Sequence, residues 1–264
     1  MKKTGLALVT GASSGVGREI ALILASKGWN LILIARSEGK LVSLKEELLN
    51  NYKVDVDYFC ADLSDSSSAA KIKAFCDSKN YVVDLLVNNA GCGLYGESVE
   101  LGDKVVPMLG LNVVGLTQMC AVFGKQMKDN KSGSILNIGS IAGNQATPYF
   151  ASYAASKMYV LMYTIALRHE LKKYKVNVTC CQPGYIRTDF DNKCNIVSEK
   201  YKKFSYKNGM SARAVAECAV RAVFAKKAFT PAGVSNKFAA FFSGLIPKNF
   251  LAWILEKSIR NLNK

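Results

Sequence analysis

The sequence has a single histidine, His169, only five prolines, and no C-x-x-C pair among its eight cysteines. His169 is followed by Glu170, but Lys173 stands where a helical H-E-x-x-H zinc site needs its second imidazole. Zinc-dependent hydrolysis and a Ser-His-Asp relay are therefore disfavoured, no metal site is expected, and His169 reads as a helix-surface residue. The cysteines are scattered through apolar segments. The adjacent Cys180 and Cys181 would point to opposite faces of a strand, a pattern of buried free thiols in a reducing, cytoplasmic setting. Scarce proline and a hydrophobic content of 50% argue against extended disorder. The C-terminal extension lacks a long apolar run as well. Phe238–Ile246 is broken by Pro247 and Lys248 from Asn249–Leu255, and neither piece nears the ~20 residues that span a bilayer. Near the start, two lysines precede the apolar Gly5–Val9, which is shorter than the ~7–15 residues of a secretory core and reads as a first strand.

Acid is scarce toward the C-terminus. Residues 191–264 hold 14 Lys/Arg against 4 Asp/Glu, whereas residues 1–190 hold 21 against 16. The net charge of +15 is thus concentrated in the last quarter, which points to an anionic partner. The candidates are a membrane surface, an acidic carrier protein, a phosphate-bearing substrate, or nucleic acid.

Apolar runs alternate with helical patterns along the rest of the chain. Strands are expected at residues 5–10, 30–35, 54–61, 83–91, 133–140 and 175–184, with a short last strand in "AFTPAG". Helices are expected at 17–28, about 37–50, 66–78 with Ser64 or Asp65 as cap, 104–129, around Tyr153, and at 211–227 begun by Ser211. Alternation with near-continuous apolar strands predicts one α/β domain, a Rossmann-type doubly wound parallel sheet with helices on both faces. No repeat or linker divides the 264 residues.

"TGASSGVG", Thr10–Gly17, sits between the first strand and the first helix. Glycines there let backbone N–H groups approach a pyrophosphate at a helix N-terminus. The second strand ends in Arg36 and Ser37 with no acid, so a 2′-phosphate finds a two-pronged partner in Arg36 with a hydroxyl from Ser37 or Ser13. NADP(H) is expected over NAD(H), the competing reading being a solvent-facing Arg at a strand end. In "SYAASK", Tyr153 and Lys157 are four residues apart and share a helix face. A nearby ammonium lowers a phenol's pKa, which makes the pair either a tuned proton donor or an ordinary surface pair.

Taken together, these segments resemble the short-chain dehydrogenase/reductase family, in its NADP(H)-preferring branch, over residues 4 to about 190. The resemblance rests on Thr10–Gly17, Asn88–Gly91 ("NNAG"), Asn112 in "GLNVVG", Ser140 in "NIGSIAG", Tyr153–Lys157, and "PGYIRT" at 183–188. It implies a carbonyl–alcohol oxidoreductase with Asn112, Ser140, Tyr153 and Lys157 as its catalytic set. Tyr153 would be the acid or base, with its pKa lowered by Lys157. Ser140 would hold the carbonyl, and Asn112 would fix a water relaying protons to Lys157. The cofactor would lie on Gly11, Ser13, Ser14, Gly15, Val16, Gly17, Arg36, Ser37, Asp62, Leu63, Asn89, Ala90, Gly91, Tyr153, Lys157, Pro183, Gly184, Ile186 and Thr188. Asn89 would meet the adenosine ribose side. Asn88 is read as a turn stabiliser, Thr188 alternatively as a helix cap, Asp189 as a first-turn acid, and Tyr149 as either pocket mouth or packing.

By the same resemblance, residues 1–184 form the cofactor-binding and catalytic core, and about 185–210 shape the substrate pocket. Residues 235–264 exceed the basic fold as a helical extension that closes the pocket, builds a subunit interface, or lies on a membrane, the first two preferred over the third. The substrate expected is a hydrophobic or 3-oxoacyl-like carbonyl or alcohol, and the protein a homo-oligomer, a dimer or tetramer. The competing classes are a redox sensor without turnover, against which the intact proton-relay set argues, and a nucleic-acid binder. No nucleic-acid motif is present, and the basic excess adjoins the pocket segment.

Overall fold

The computed structural model describes residues 5–262; the lysines ahead of the first strand and the last two residues of the extension lie outside it. Strands β1 (Leu6–Thr10), β2 (Asn30–Ala35), β3 (Val56–Cys60), β4 (Leu85–Asn88), β5 (Gly133–Ile138), β6 (Val176–Gln182) and β9 (Phe229–Pro231) make one sheet. Its order is β3-β2-β1-β4-β5-β6-β9, and every pairing is parallel. The short β7 (Ile186–Arg187) and β8 (Met210–Ser211) pair separately.

Side chains alternate across the sheet as strand geometry requires. Ala7 and Val9 of β1 enter one core and Leu8 the other, while in β6 Cys181 joins the first core and Cys180 the second. All eight cysteines are free. Helices α1 (Gly15–Ser26), α2 (Glu38–Asn51) and α10 (Ala212–Phe224) cover the first face. The second face carries α3 (Ser68–Ser78), α6 (Leu116–Asp129) and α7 (Ala151–Leu171). Helix α3 starts later than the sequence suggests: Ser67 is its N-cap, and the Asp65 carboxylate accepts from the Ser67 N–H and hydroxyl. Ser211 caps α10, its Oγ accepting from the Ala214 N–H.

The run Ser98–Asp129 is long and apolar enough to cross a membrane, with a mean hydropathy of 1.7. About a third of its most apolar stretch, 33%, is buried, and Met119, Cys120, Phe123 and Met127 pack fully against the sheet. Within it, α4 (Ser98–Leu101) and α5 (Val105–Leu109) lead into a π-helical turn at Gly110–Gly115. A β-carbon on Gly115 would lie 2.2 Å from the Leu63 carbonyl oxygen, so this helix crosses the loop after β3 where only glycine fits.

Beyond β6 come α8 (Phe190–Lys193), α9 (Glu199–Asn208), α11 (Val234–Leu245) and α12 (Lys248–Leu262). Helix α12 is fastened to α9: the Ser198 hydroxyl donates to the Leu262 carbonyl at 2.5 Å, and Lys200 donates to the Asn261 carbonyl at 2.9 Å.

Candidate active site

Sheet order reverses between β1 and β4, and the crevice above their C-terminal ends is where doubly wound sheets bind ligands. Here that crevice is a cavity of about 1380 Å³. The glycine turn forms one end. Gly11 and Gly15 have φ of 64° and 56°, conformations costly for any residue with a side chain. A β-carbon on Gly17 would sit 2.3 Å from the Gly11 carbonyl oxygen, so α1 packs directly under the turn. Thr10 locks the turn to β4, its Oγ1 accepting from the Asn89 and Ala90 N–H groups, each at 3.0 Å. The Asn89 amide donates to the Thr10 and Gly11 carbonyls at 3.0 and 3.3 Å. Its side chain therefore braces the turn, and Asn89 lines the cavity.

Arg36 and Ser37 are exposed at the rim with Lys40, which sequence reasoning missed though it lies one helical turn further on. Arg36 forms an ion pair with Asp62 at 3.6 Å, and the Asp62 carboxylate also accepts from the Ser64 N–H and hydroxyl. Those bonds and the Arg36 charge outweigh partial desolvation and hold the Asp62 carboxyl below its usual range. Ser13, Ser14, Val16, Leu63, Ala90, Gly91, Pro183, Gly184, Ile186 and Thr188 all line the same space; Gly17 lies beneath it. The Thr188 methyl would stand 3.7 Å from a β-carbon on Gly15, which places it over the glycine turn. Thr188 caps no helix, because Asp189 occupies the N-cap of α8.

At the other end, Ser140 leaves β5 with its Oγ accepting from the Ala142 N–H at 3.2 Å, and Tyr153 and Lys157 project from α7. Lys157 is buried and donates to the Ile138 carbonyl at 3.1 Å. Asn112, buried in the π-helical turn, exchanges hydrogen bonds with the Cys92 backbone and donates to Ser156 Oγ. A β-carbon on Gly91 would lie 3.2 Å from Asn112 Oδ1 and 3.3 Å from Lys157 Nζ, so these polar atoms converge on one glycine.

The expectation that Lys157 depresses the Tyr153 pKa needs correction. Burial pushes the phenol above its ordinary value, opposed only by the Ser140 hydroxyl. Burial also brings the Lys157 ammonium down to about 8. With that ammonium 5.9 Å from the Tyr153 ring centre, desolvation of both groups wins.

One minor reading changes, and one open alternative is decided. Asn88 is no turn stabiliser: it lies inside the sheet, donating to Asn137 Oδ1 at 2.9 Å, and Asn137 in turn donates to Thr164. Tyr149, at a φ of 62°, packs near Tyr95, while its neighbour Phe150 lines the cavity.

The wall facing Tyr153 is aromatic. Phe150 and Phe190 lie 6.1 and 5.7 Å from its ring, and Tyr201, Leu255, Ile259 and Leu262 continue the surface. Asp191 is a polar exception; its carboxyl is pushed up by burial, against bonding to Ser205 and the charge of Lys202. The sequence marks these residues only by their place in the variable segment, since nothing in their spacing shows which side they present.

Residues 5–197 match the family model for short chain dehydrogenases. Sulfoacetaldehyde reductase 2 of Chromohalobacter salexigens is 35% identical over 189 residues, 70% of this chain and 74% of its own length. A very-long-chain 3-oxoacyl-CoA reductase of Debaryomyces hansenii is 36% identical over 183 residues, 65% of this chain; the chain spans about half of that relative, 53%. A short-chain dehydrogenase from Sphingobium yanoikuyae in complex with NADPH superposes with a TM-score of 0.81 at 25% identity, over 91% of this chain and 93% of its own. One from Burkholderia phymatum in complex with NAD gives the same four values, so likeness supports a nicotinamide dinucleotide without choosing between the two. A glycine turn at the switch point and a serine, tyrosine and lysine around one cavity thus agree with the sequence match, and the chain belongs to the short-chain dehydrogenase/reductase family of carbonyl and alcohol oxidoreductases.

Proposed function

We propose that this enzyme is an NADP(H)-dependent reductase or dehydrogenase that interconverts a hydrophobic, 3-oxoacyl-like carbonyl and its secondary alcohol, with Tyr153 as acid and base. The observation that carries the reading is one continuous cavity with Arg36, Ser37 and the glycine turn at one end and Ser140, Tyr153 and Lys157 at the other. Backbone at Gly11–Val16 fits a pyrophosphate, and Arg36 with Lys40 supplies positive charge for a 2′-phosphate. When bound, the nicotinamide supplies or accepts the hydride. The chain's own groups handle the oxygen: Ser140 hydrogen-bonds the substrate carbonyl, and Tyr153 Oη delivers its proton to that oxygen in reduction and withdraws it in oxidation. A neutral phenol in the cavity wall is suited to donating. Lys157, fixed by Ile138, sets positive charge on the cavity floor, where it would hold the bound cofactor, and Asn112 holds the Cys92 backbone beside it.

The substrate class is supported by the aromatic wall and by similarity to 3-oxoacyl-CoA reductases. Eight free thiols support a cytoplasmic, reducing setting. Homo-oligomer formation is supported by exposed Val114, Met158 and Met162 on neighbouring helices. The test is NADPH oxidation with 3-oxoacyl thioesters of increasing chain length, hydrophobic ketones and small polar aldehydes. The expected result is kcat/KM rising with acyl length; NADPH oxidation with none of them would overturn the reading.

A further inference from the structure

Helix α11 is amphipathic the wrong way round for a core helix. Val234, Phe238, Phe241, Phe242 and Leu245 recur at helical spacing, yet they are 52–69% exposed, and the only buried residue of the helix is Ser243. Helix α12 has two apolar stripes. Leu255, Ile259 and Leu262 face the cavity, while Phe250, Trp253 and Ile254 face outward, with Phe250 stacked on Trp253 at 5.8 Å. The inner stripe of α12 thus helps to close the pocket, while Phe241, Phe242, Phe250 and Trp253 lie on its outside.

Charge identifies what covers this face. Residues 234–262 carry Lys237, Lys248, Lys257 and Arg260 against Glu256 alone, within a last quarter that is strongly basic. Lys257 lies over the Trp253 ring at 3.7 Å, a cation beside an aromatic on the outward side. Lys248 instead turns inward, donating to the Asn144 carbonyl at 2.8 Å and anchoring the start of α12. Aromatic residues with flanking lysines suit the boundary between headgroups and acyl chains. A second copy in a two-fold contact would bring like charges together.

We infer that the outward face of α11 and α12 seats on an anionic lipid surface, with Phe241, Phe242, Phe250 and Trp253 entering the interface and Lys237 and Lys257 meeting headgroups. Because the inner face of α12 is a wall of the cavity, a single helix then separates lipid from the site. The inference stands apart from the cofactor and substrate reading, since vesicle binding is measured without turnover.

The test is flotation of the full chain with phosphatidylcholine vesicles, with and without 30 mol% phosphatidylserine, at low and high salt. Anionic vesicles should bind more than about tenfold better, with salt weakening the binding. Phe241→Ser/Phe242→Ser and, separately, Lys237→Glu/Lys257→Glu should lose it while keeping the wild-type circular dichroism spectrum. No flotation, or equal flotation with both vesicle types, would overturn the inference. So would a concentration-dependent dimer in light scattering that the Phe241→Ser/Phe242→Ser variant abolishes.

Discussion

Lys157 donates its ammonium to the main-chain carbonyl of Ile138 at 3.1 Å, which fixes it on the floor of the cavity. Its distance from the Tyr153 ring leaves burial in command of the phenol. Tyr153→Phe removes only a hydroxyl and preserves the ring contacts with Phe150 and Phe190. We expect NADPH affinity within a factor of about two and turnover reduced about 10²–10⁴-fold, the span of a general acid's contribution. Near-normal turnover would show that the proton comes from elsewhere.

The same lysine gives a pH signature. Burial brings Lys157 to about 8 from an ordinary 10.5, so between those values the unfolded chain holds a proton that the folded chain lacks. This group's contribution to stability therefore rises with pH through that window and is lost as pH falls to 8. Burial pushes Cys120 and Cys180 up to about 12, so these thiols act oppositely above pH 9. Comparing wild type with Lys157→Met cancels Cys120, which Lys157 does not influence, and leaves of Cys180 only the part that Lys157 lowers. The stability of wild type relative to the variant should rise by about 3 kcal/mol, to order of magnitude, from pH 7.5 to 10.5 in urea unfolding. A flat difference would mean that the lysine keeps its ordinary pKa.

Much of this site was readable from the sequence because its chemistry demands short fixed spacings. Four residues from Tyr153 to Lys157 and the pattern Gly11, Gly15, Gly17 specify a helix face and a turn whatever surrounds them. Burial was not readable, and it reverses the expected direction at Tyr153. Asn88 and Asn89 are adjacent and alike, yet strand alternation sends one into the sheet and leaves the other bracing the turn. In α11, periodicity revealed an apolar stripe but not that it faces outward.

Arg36 is exposed and, among the described residues, paired only with Asp62 across 3.6 Å, so it is available to a phosphate. Arg36→Asp replaces attraction with repulsion and sets two carboxylates side by side. The ratio of kcat/KM for NADPH to that for NADH should fall about 10–100-fold, the loss of one charge-assisted contact. An unchanged ratio would remove Arg36 from cofactor selection.

Gly143 follows Ser140 in the 3₁₀ turn Ile141–Asn144 and lies against α7: a β-carbon there would stand 2.5 Å from the Lys157 carbonyl carbon. The atoms it would meet, in Lys157 and Met158, are all backbone, so none can swing aside. Gly143→Ala should cost about 1–3 kcal/mol, lowering Tm by several degrees, and should reduce turnover by shifting Ser140 relative to Tyr153. Wild-type Tm and turnover would show that the turn yields freely.

Ile259 tests the extension from the inside. It is 5% exposed, packs with Phe150, Cys194, Ile196 and Tyr201, and lines the cavity far from the glycine turn. Ile259→Ala removes three carbons from that wall, at about 2–5 kcal/mol of stability for a fully buried site. Where the wall contacts an acyl chain, the lost surface should raise KM for long-chain substrates about tenfold while leaving small carbonyls within twofold. The dissociation constant for NADPH, set at the other end of the cavity, should not change. Isothermal titration with NADPH and steady-state kinetics on a chain-length series separate the two effects. A uniform rise in KM, or weaker NADPH binding, would mean that Ile259 supports the fold as a whole instead of shaping the substrate end.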